Sequence, residues 1–312
     1  TSKLQMEQKN KIILLAGPTA SGKSTLAIRL AQHFNGEIIN ADSMQIYKEI
    51  SILTSKPKVE EMENVKHHLY GFISVREKFS TGDWLELSIK KIYEIWKKDN
   101  TPIIVGGTGL YFKALTNGLV KIPSIPNKLK LEIKKMHNEL GQKNFFDKLI
   151  KEDPLAKKFV LPTDTQRSMR VFEVKKFMDK SLFELIKETK SNFTNEVFKK
   201  LFINTPKELL HTTIEKRVEK MFKEGALKEV EKFQNMKVYR ELSANKILGV
   251  KEIKDYLKGK IKLSEAKDLI ALKTRQYAKR QFTWSRGHMK SWDAIYSSNI
   301  NELFKKAINK IS

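Results

Sequence analysis

Lys11-Ile12-Ile13-Leu14-Leu15-Ala16-Gly17-Pro18-Thr19-Ala20-Ser21-Gly22-Lys23-Ser24 joins a short apolar run to a glycine-bearing loop, and its reading decides the fold. The apolar run suits a buried parallel strand. Beyond the loop, Ser24 to Phe34 places Leu26, Ala27, Leu30 and Ala31 on one face of a helix. Gly17 to Ser24 fits G-x-x-x-x-G-K-S between that strand and that helix, the context a phosphate-binding loop requires. Backbone N–H groups of Gly17, Pro18's neighbours Thr19 to Gly22, and Lys23 would converge on an anion, helped by the positive end of the helix dipole. Lys23 supplies a point charge, and the Ser24 hydroxyl can ligate Mg²⁺. The bland alternative is a tight strand–helix turn with an incidental lysine.

Outward from the loop, the pattern repeats. Glu37-Ile38-Ile39-Asn40 reads as a second strand leading into Ala41-Asp42-Ser43. Pro102-Ile103-Ile104-Val105 reads as a third, running into Gly106-Gly107-Thr108-Gly109, and Trp84 to Trp96 before it has helical spacing. Strands alternating with helices predict an α/β fold: a P-loop NTPase-like parallel sheet core flanked by helices. From Asn117 onward, Pro123, Pro126, Pro154 and Pro162 punctuate long Lys- and Glu-rich helical patterns. The expected organisation is a core of 1–119 and 201–312 with an all-helical insertion domain at 120–200. Leu201-Phe202-Ile203-Asn204 looks like a returning core strand, and after Pro206 the pattern is helical almost to the end.

Bulk properties narrow the class. The 312 residues are 40% hydrophobic and 31% charged, as in globular proteins rather than disordered ones. No apolar stretch approaches the ~20 residues that span a bilayer. Thr1 to Asn10 is polar and lacks a secretory apolar core. With no cysteine, a disulfide framework, a thiolate zinc site and a cysteine nucleophile are all excluded. These features lead us to expect a cytoplasmic protein with no membrane partner. Sixty Lys+Arg against 36 Asp+Glu give a net charge of +24, which favours capture of polyanions such as nucleic acid. A lysine-rich surface of purely genomic origin is the competing account.

Three stretches together are more specific than the loop alone: Gly17 to Ser24, Ala41-Asp42-Ser43-Met44-Gln45-Ile46-Tyr47, and Val105-Gly106-Gly107-Thr108-Gly109-Leu110-Tyr111-Phe112. With Asp164-Thr165-Gln166-Arg167-Ser168-Met169-Arg170 and the run Thr274 to Trp284, they resemble the tRNA dimethylallyltransferases, in family order along nearly the whole chain. The resemblance implies transfer of a five-carbon isoprenoid from dimethylallyl diphosphate to N6 of the adenosine beside the anticodon. It also implies tRNA, through its anticodon stem-loop, as partner; Mg²⁺ is the cofactor expected from the loop's Ser24 hydroxyl, and a monomer is expected. The absence of a C-terminal cysteine-based zinc finger suggests the bacterial or organellar form.

A diphosphate leaving group needs cations and N–H donors as its C–O bond breaks. Gly17, Pro18, Thr19, Ala20, Ser21, Gly22, Lys23 and Ser24 would hold it, with the hydroxyls of Thr19 and Ser24 taking part. The attacking amine must shed a proton, so a carboxylate is required. Asp42 follows the second strand at its carboxyl end, where open α/β sheets place their sites, and is the expected general base. A Mg²⁺ ligand or a helix N-cap remain open for it. Thr108 follows two glycines and can approach substrate closely, or it can simply hold its own turn. In the family this threonine lies near the target base. Arg217, in His211-Thr212-Thr213-Ile214-Glu215-Lys216-Arg217-Val218, resembles an arginine that the family brings to the diphosphate. Where relatives commonly carry a further arginine four positions earlier, this sequence has Thr213.

For tRNA, the resemblance points to Asp42, Ser43, Met44 and Gln45, to Thr108, and to Gln166, Arg167, Ser168, Met169 and Arg170, which match the segment holding the displaced nucleotide. Such enzymes must take the base out of its stack. Lys246 and Lys251 flank another similar stretch, with lysines where some relatives carry arginine; the charge stays but the planar fork is lost. Arg275, Lys279 and Arg280, interleaved with Tyr277, Phe282 and Trp284, suit RNA, although the aromatics also recur near core spacing. Lys130, with Lys128, Lys134 and Lys135, suits phosphate tracking or a merely solvated helix. Adjacent His67 and His68 point apart on any regular element and make a poor metal pair. A P-loop kinase acting on a nucleotide or small metabolite is the rival enzyme, and a nucleic-acid-binding ATPase a further one; neither accounts as well for the basic insertion.

Overall fold

The computed structural model describes residues 10–312; the polar stretch 1–9 lies outside the described residues. The chain opens on β1 (Ile12–Ala16), whose five apolar residues are all buried. It continues through α1 (Lys23–Phe34), β2 (Gly36–Asn40), β3 (His67–His68), α2 (Thr81–Trp96), β4 (Thr101–Gly106) and α3 (Gly109–Asn117). Next come α4 (Asn127–Glu152, kinked at Gly141), α5 (Ala156–Phe159), α6 (Thr165–Met178) and α7 (Leu182–Glu188). The chain then returns through β5 (Phe198–Ile203), α8 (Lys207–Glu224), α9 (Ala226–Asn235), α10 (Val250–Leu257), α11 (Leu263–His288), β6 (Asp293–Ile295) and α12 (Ile300–Ile311).

The six strands form one parallel sheet in the order β3-β2-β4-β1-β5-β6. β1 lies between β4 and β5, with Ala16 level with Gly106 on one side and Phe202 on the other. Asn40 at the end of β2 is level with Val105. Four strand ends therefore finish at one edge, and the loops leaving them meet at the switch point where α/β sheets bind ligands. The four strands expected from apolar runs are all present. β3 and β6 are additions, each pairing with a single neighbour at an edge of the sheet. β6 interrupts the stretch after Pro206 that was expected to be helical almost to the end.

Two clusters make the core of this sheet unit. Ile13, Leu15, Ile38, Ile103, Val105 and Leu201 pack under Leu26 and Leu30 of α1 and Leu303 and Ala307 of α12. Ile46, Tyr47, Ile50 and Leu53 pack against Ile214, Val218 and Met221 of α8, Phe233 of α9, Ile253 of α10 and Ile270 of α11. Each such aliphatic or aromatic side chain contributes roughly 1.5–3 kcal/mol on burial.

The chain divides into two compact units, one running up to Thr116 and resuming over Asn192–Ser312, the other Asn117–Ser191. The second has its own core, in which Phe145 and Leu149 of α4 meet Val171 and Phe172 of α6 and Phe183 of α7. The expected insertion at 120–200 thus runs too far at its end. Phe193 stacks edge-on against Trp96, and Lys199 and Lys200 pair with Ile13 and Leu14 inside the sheet. Their lysines gave those positions a helical texture. No helix among the described residues is long and apolar enough to cross a membrane.

Candidate active site

The loop between β1 and α1 takes left-handed backbone at Ala20 (φ 64°) and Gly22 (φ 80°). α1 begins with no side-chain cap and no acidic residue in its first turn. Its first amides and the positive end of its dipole therefore stay available to an anion. Lys23 donates from Nζ to the Pro18 carbonyl at 3.1 Å. Burial pushes its ammonium down to about 8, against the charge of Asp42 and with Arg217 adding to the fall. Arg217 reaches in from α8 and donates to Thr19 Oγ1 at 2.5 Å. Burial also lowers the Arg217 guanidinium, and Asp42 opposes it. Arg217 Nε and Ser21 Oγ are buried without a hydrogen-bond partner among the described residues. A buried polar group left unsatisfied costs about 1–3 kcal/mol. Two strained cations and two orphaned polar atoms around one loop make a site that an anion would complete. Ser24, at the start of α1, is exposed.

Asp42 stands just past the end of β2. Buried Asn40 accepts the Asp42 N–H at 2.8 Å and donates to the carbonyls of Asp42 and Leu69, each at 3.0 Å. The Met44 N–H donates to Asp42 Oδ1 at 2.9 Å. One carboxylate oxygen thus closes a turn on its own loop. No helix begins at this position, so the N-cap alternative gives way to that turn. The negative charge is felt widely. It supports the protonated forms of Lys23 and Arg217, and after burial it is the next influence lifting the hydroxyls of Tyr70 and Tyr277 well above the ordinary tyrosine range. Tyr111 is lifted by burial, Tyr47 and Asp42 in turn.

The Asp42 loop is clasped from β4. A Cβ on Gly106 would lie 2.2 Å from the Ala41 carbonyl carbon, so only glycine fits there. The Thr108 N–H donates to the Ala41 carbonyl at 3.1 Å. Thr108 Oγ1 accepts the Ser43 N–H at 2.9 Å and donates to Ser43 Oγ at 3.3 Å. Its hydroxyl therefore holds the neighbouring loop rather than its own turn. Gln45 donates to the carbonyls of Thr54 and Ser55, and Met44 packs against the helical core. These two expected tRNA-contacting side chains brace the loop from within.

α11 completes the site. Its aromatics are neither core nor fully exposed: Tyr277, Phe282 and Trp284 are half-buried and line cavities. A cavity of about 250 Å³ lies between Gly17, Thr108, Tyr277, Arg280, Gln281 and Trp284. A larger one of about 530 Å³ is lined by Arg275, Lys279, Phe282 and Arg286 with Thr205 and His211. Gln281 accepts the Thr19 N–H and donates to the Gly107 carbonyl, both at 3.0 Å. Gln281 is not among the residues expected from the sequence. The signal was there, since Gln281 lies one helical turn after Tyr277 on the same face.

Lys130 on α4 and Gln166, Arg167 and Arg170 on α6 are exposed; Arg170 also pairs with Glu173 at 3.6 Å. Ser168 is turned inward and Met169 partly so. Ser168 is fully buried and donates to the Asp164 carbonyl, while Met169 packs on the helical core. The cause is the helical period, which turns that part of α6 inward. Lys246 is exposed, and Lys251 is paired with Asp255 at 2.8 Å. His67 and His68 face different partners, the Val65 carbonyl and Glu37.

A central β1 feeding a phosphate-type loop, with a carboxylate beside it at the sheet's carboxyl edge, defines a P-loop NTPase-like α/β protein. The family model described as IPP transferase matches residues 45–288. A tRNA dimethylallyltransferase of Pelagibacter ubique is 50% identical over 301 residues, 96% of each chain. A Bacillus halodurans tRNA isopentenylpyrophosphate transferase structure is 31% identical, covering 97% of both chains with a TM-score of 0.69. A eukaryotic dimethylallyltransferase structure, described as acting on tRNA, is 28% identical with a TM-score of 0.80, covering 97% of this chain and 77% of that one. This chain belongs to the IPP transferase family.

Proposed function

We propose that this enzyme transfers a dimethylallyl group from dimethylallyl diphosphate to N6 of the adenosine immediately 3′ of the anticodon, position 37, in tRNAs. The observation that carries the reading is a single carboxylate, Asp42, set against a cationic loop whose buried polar atoms lack partners. Loop amides other than Pro18, which has no N–H, and Thr19, whose N–H Gln281 accepts, take up charge on the diphosphate as the C1–O bond breaks, together with Lys23, Arg217 and the Thr19 hydroxyl. Asp42 accepts the proton that the N6 amine loses as its bond to C1 forms. Ser24, exposed in a first turn that carries no acidic residue, is the residue that would hold Mg²⁺ together with diphosphate oxygens. Bound there, Mg²⁺ would neutralise charge on the departing group.

On the RNA side, the exposed Lys130, Gln166, Arg167, Arg170, Lys246, Lys279 and Arg280 and the partly exposed Arg275 supply phosphate contacts and planar surfaces, in keeping with the +24 charge. Working as a monomer in the cytoplasm accords with this reading. The test is incubation of the protein with Mg²⁺, anticodon stem-loop RNA and radiolabelled dimethylallyl diphosphate, with ATP controls. Label in the RNA is the expected result. ATP turnover without labelled RNA would replace this reading with the kinase or ATPase one.

A further inference from the structure

We propose that Gln281 is a positioning residue that sets the register between the leaving-group loop and the acceptor loop; the proposal rests on the transfer reaction above. Its amide uses both ends. Oε1 accepts the Thr19 N–H from the phosphate loop, and Nε2 donates to the Gly107 carbonyl at the end of β4, each at 3.0 Å. A Cβ on Gly107 would sit 2.4 Å from Gln281 Nε2, so the glycine makes room for this approach.

The connection continues on both sides. Thr19 also receives Arg217 through its hydroxyl. Gly107 leads directly to Thr108, which clasps Ser43 and the Ala41 carbonyl on either side of Asp42. A path of hydrogen bonds therefore runs from the cations that receive the diphosphate, through Gln281, to the loop that carries the base. Gln281 sits on α11, a helix that packs against α8, the source of Arg217. Tyr277 lies one turn earlier on the same face of α11. The amide thus fixes two catalytic loops against one helix.

Register matters because the prenyl carbon is electron-poor once its bond to oxygen lengthens. If the amine is misplaced, water can attack C1 instead. The C1–O bond to diphosphate then breaks, a C1–O bond to water forms, a proton goes to solvent, and the products are the prenyl alcohol and diphosphate. Loss of the register should therefore uncouple diphosphate release from RNA alkylation.

Gln281→Met keeps an unbranched side chain of similar size and removes both hydrogen bonds. Alkylated RNA and released diphosphate are to be measured in the same reaction. Wild type is expected to give equal amounts. In Gln281→Met the transfer rate should fall on the order of 100-fold while the KM for the prenyl donor stays within a few fold, since misplacement by about 1 Å can cost that much. Diphosphate and prenyl alcohol should then exceed alkylated RNA. If transfer and diphosphate release fall together in equal amounts, or neither falls, the proposal is wrong. Should Gln281→Met not fold, Gln281→Glu serves instead, because it keeps the acceptor for Thr19 and removes the donor to Gly107. The same excess of diphosphate is expected, and equal amounts would overturn the proposal. A wild-type protein that labels no RNA would instead overturn the transfer reading itself.

Discussion

The two ends of β2 each carry a carboxylate, and they have been put to opposite uses. Glu37, near the start of the strand, is 2% exposed and fully answered: His68 Nε2 lies 2.9 Å away, and Lys98 and Asn100 donate to it at 2.9 and 2.8 Å. Burial alone would raise its pKa, but those hydrogen bonds outweigh burial and hold it down to about 2. Asp42, just past the strand's other end, faces cations that burial has weakened and polar atoms left without partners. A satisfied buried charge fixes structure. An arrangement that still lacks a partner is where a ligand and its chemistry belong.

The strongest way to break this contrast is Asp42→Ala. Turnover should fall on the order of 10³-fold, the scale of losing a general base. Diphosphate affinity, read by calorimetry, should hold or tighten, because a charge that repels the anion is gone. Unchanged turnover would remove Asp42 from the reaction. Arg217→Ala comes next, with an expected loss in kcat/KM on the order of 10²-fold from missing charge stabilisation of the leaving group. Lysine at that position should restore only part of it, since the planar fork is absent.

Smaller effects sharpen the same comparison through pH. Lys23 titrates at about 8 in the free protein, below its ordinary value of 10.5. Above pH 8 it loses its proton while the unfolded chain keeps one, so stability should rise with pH between those two values. Diphosphate favours the charged form, so binding near pH 8 should take up a proton. Calorimetry in buffers of different ionisation heat measures that uptake, and Lys23→Met should abolish it. Glu37 works in the other direction. Its folded pKa is depressed, so its stabilisation is present above about pH 4.3, where the unfolded carboxyl ionises, and is lost as pH falls towards about 2. Glu37→Gln should flatten that acid limb and lower stability by about 1–3 kcal/mol at neutral pH. It should leave turnover within about twofold, as expected for a residue away from the reacting groups.

What could be read in the sequence follows from how locally each feature is encoded. β1, β2, β4 and β5 announce themselves because burial on both faces makes a continuous apolar run. β3 and β6 are two and three residues long at the sheet edges, too short to carry a period. The lysines of β5 hid its first half, which lies within the paired part of the strand. Gly17–Ser24, Asp42 and Thr108 were legible because each follows a strand with glycine or a loop at fixed spacing. The joining of Thr19 to Gln281 was not, since the two are 262 residues apart and meet only through the packing of α11. Ser168 is buried, and a motif match does not say which of its side chains faces outward.

The most direct test of the central claim is nucleoside analysis of anticodon stem-loop RNA after reaction with dimethylallyl diphosphate, comparing wild type with Asp42→Ala under conditions where both bind diphosphate. Wild type is expected to give N6-(dimethylallyl)adenosine at position 37, and the variant almost none. Equal modification by both proteins, or modification at another atom or position, would contradict that claim.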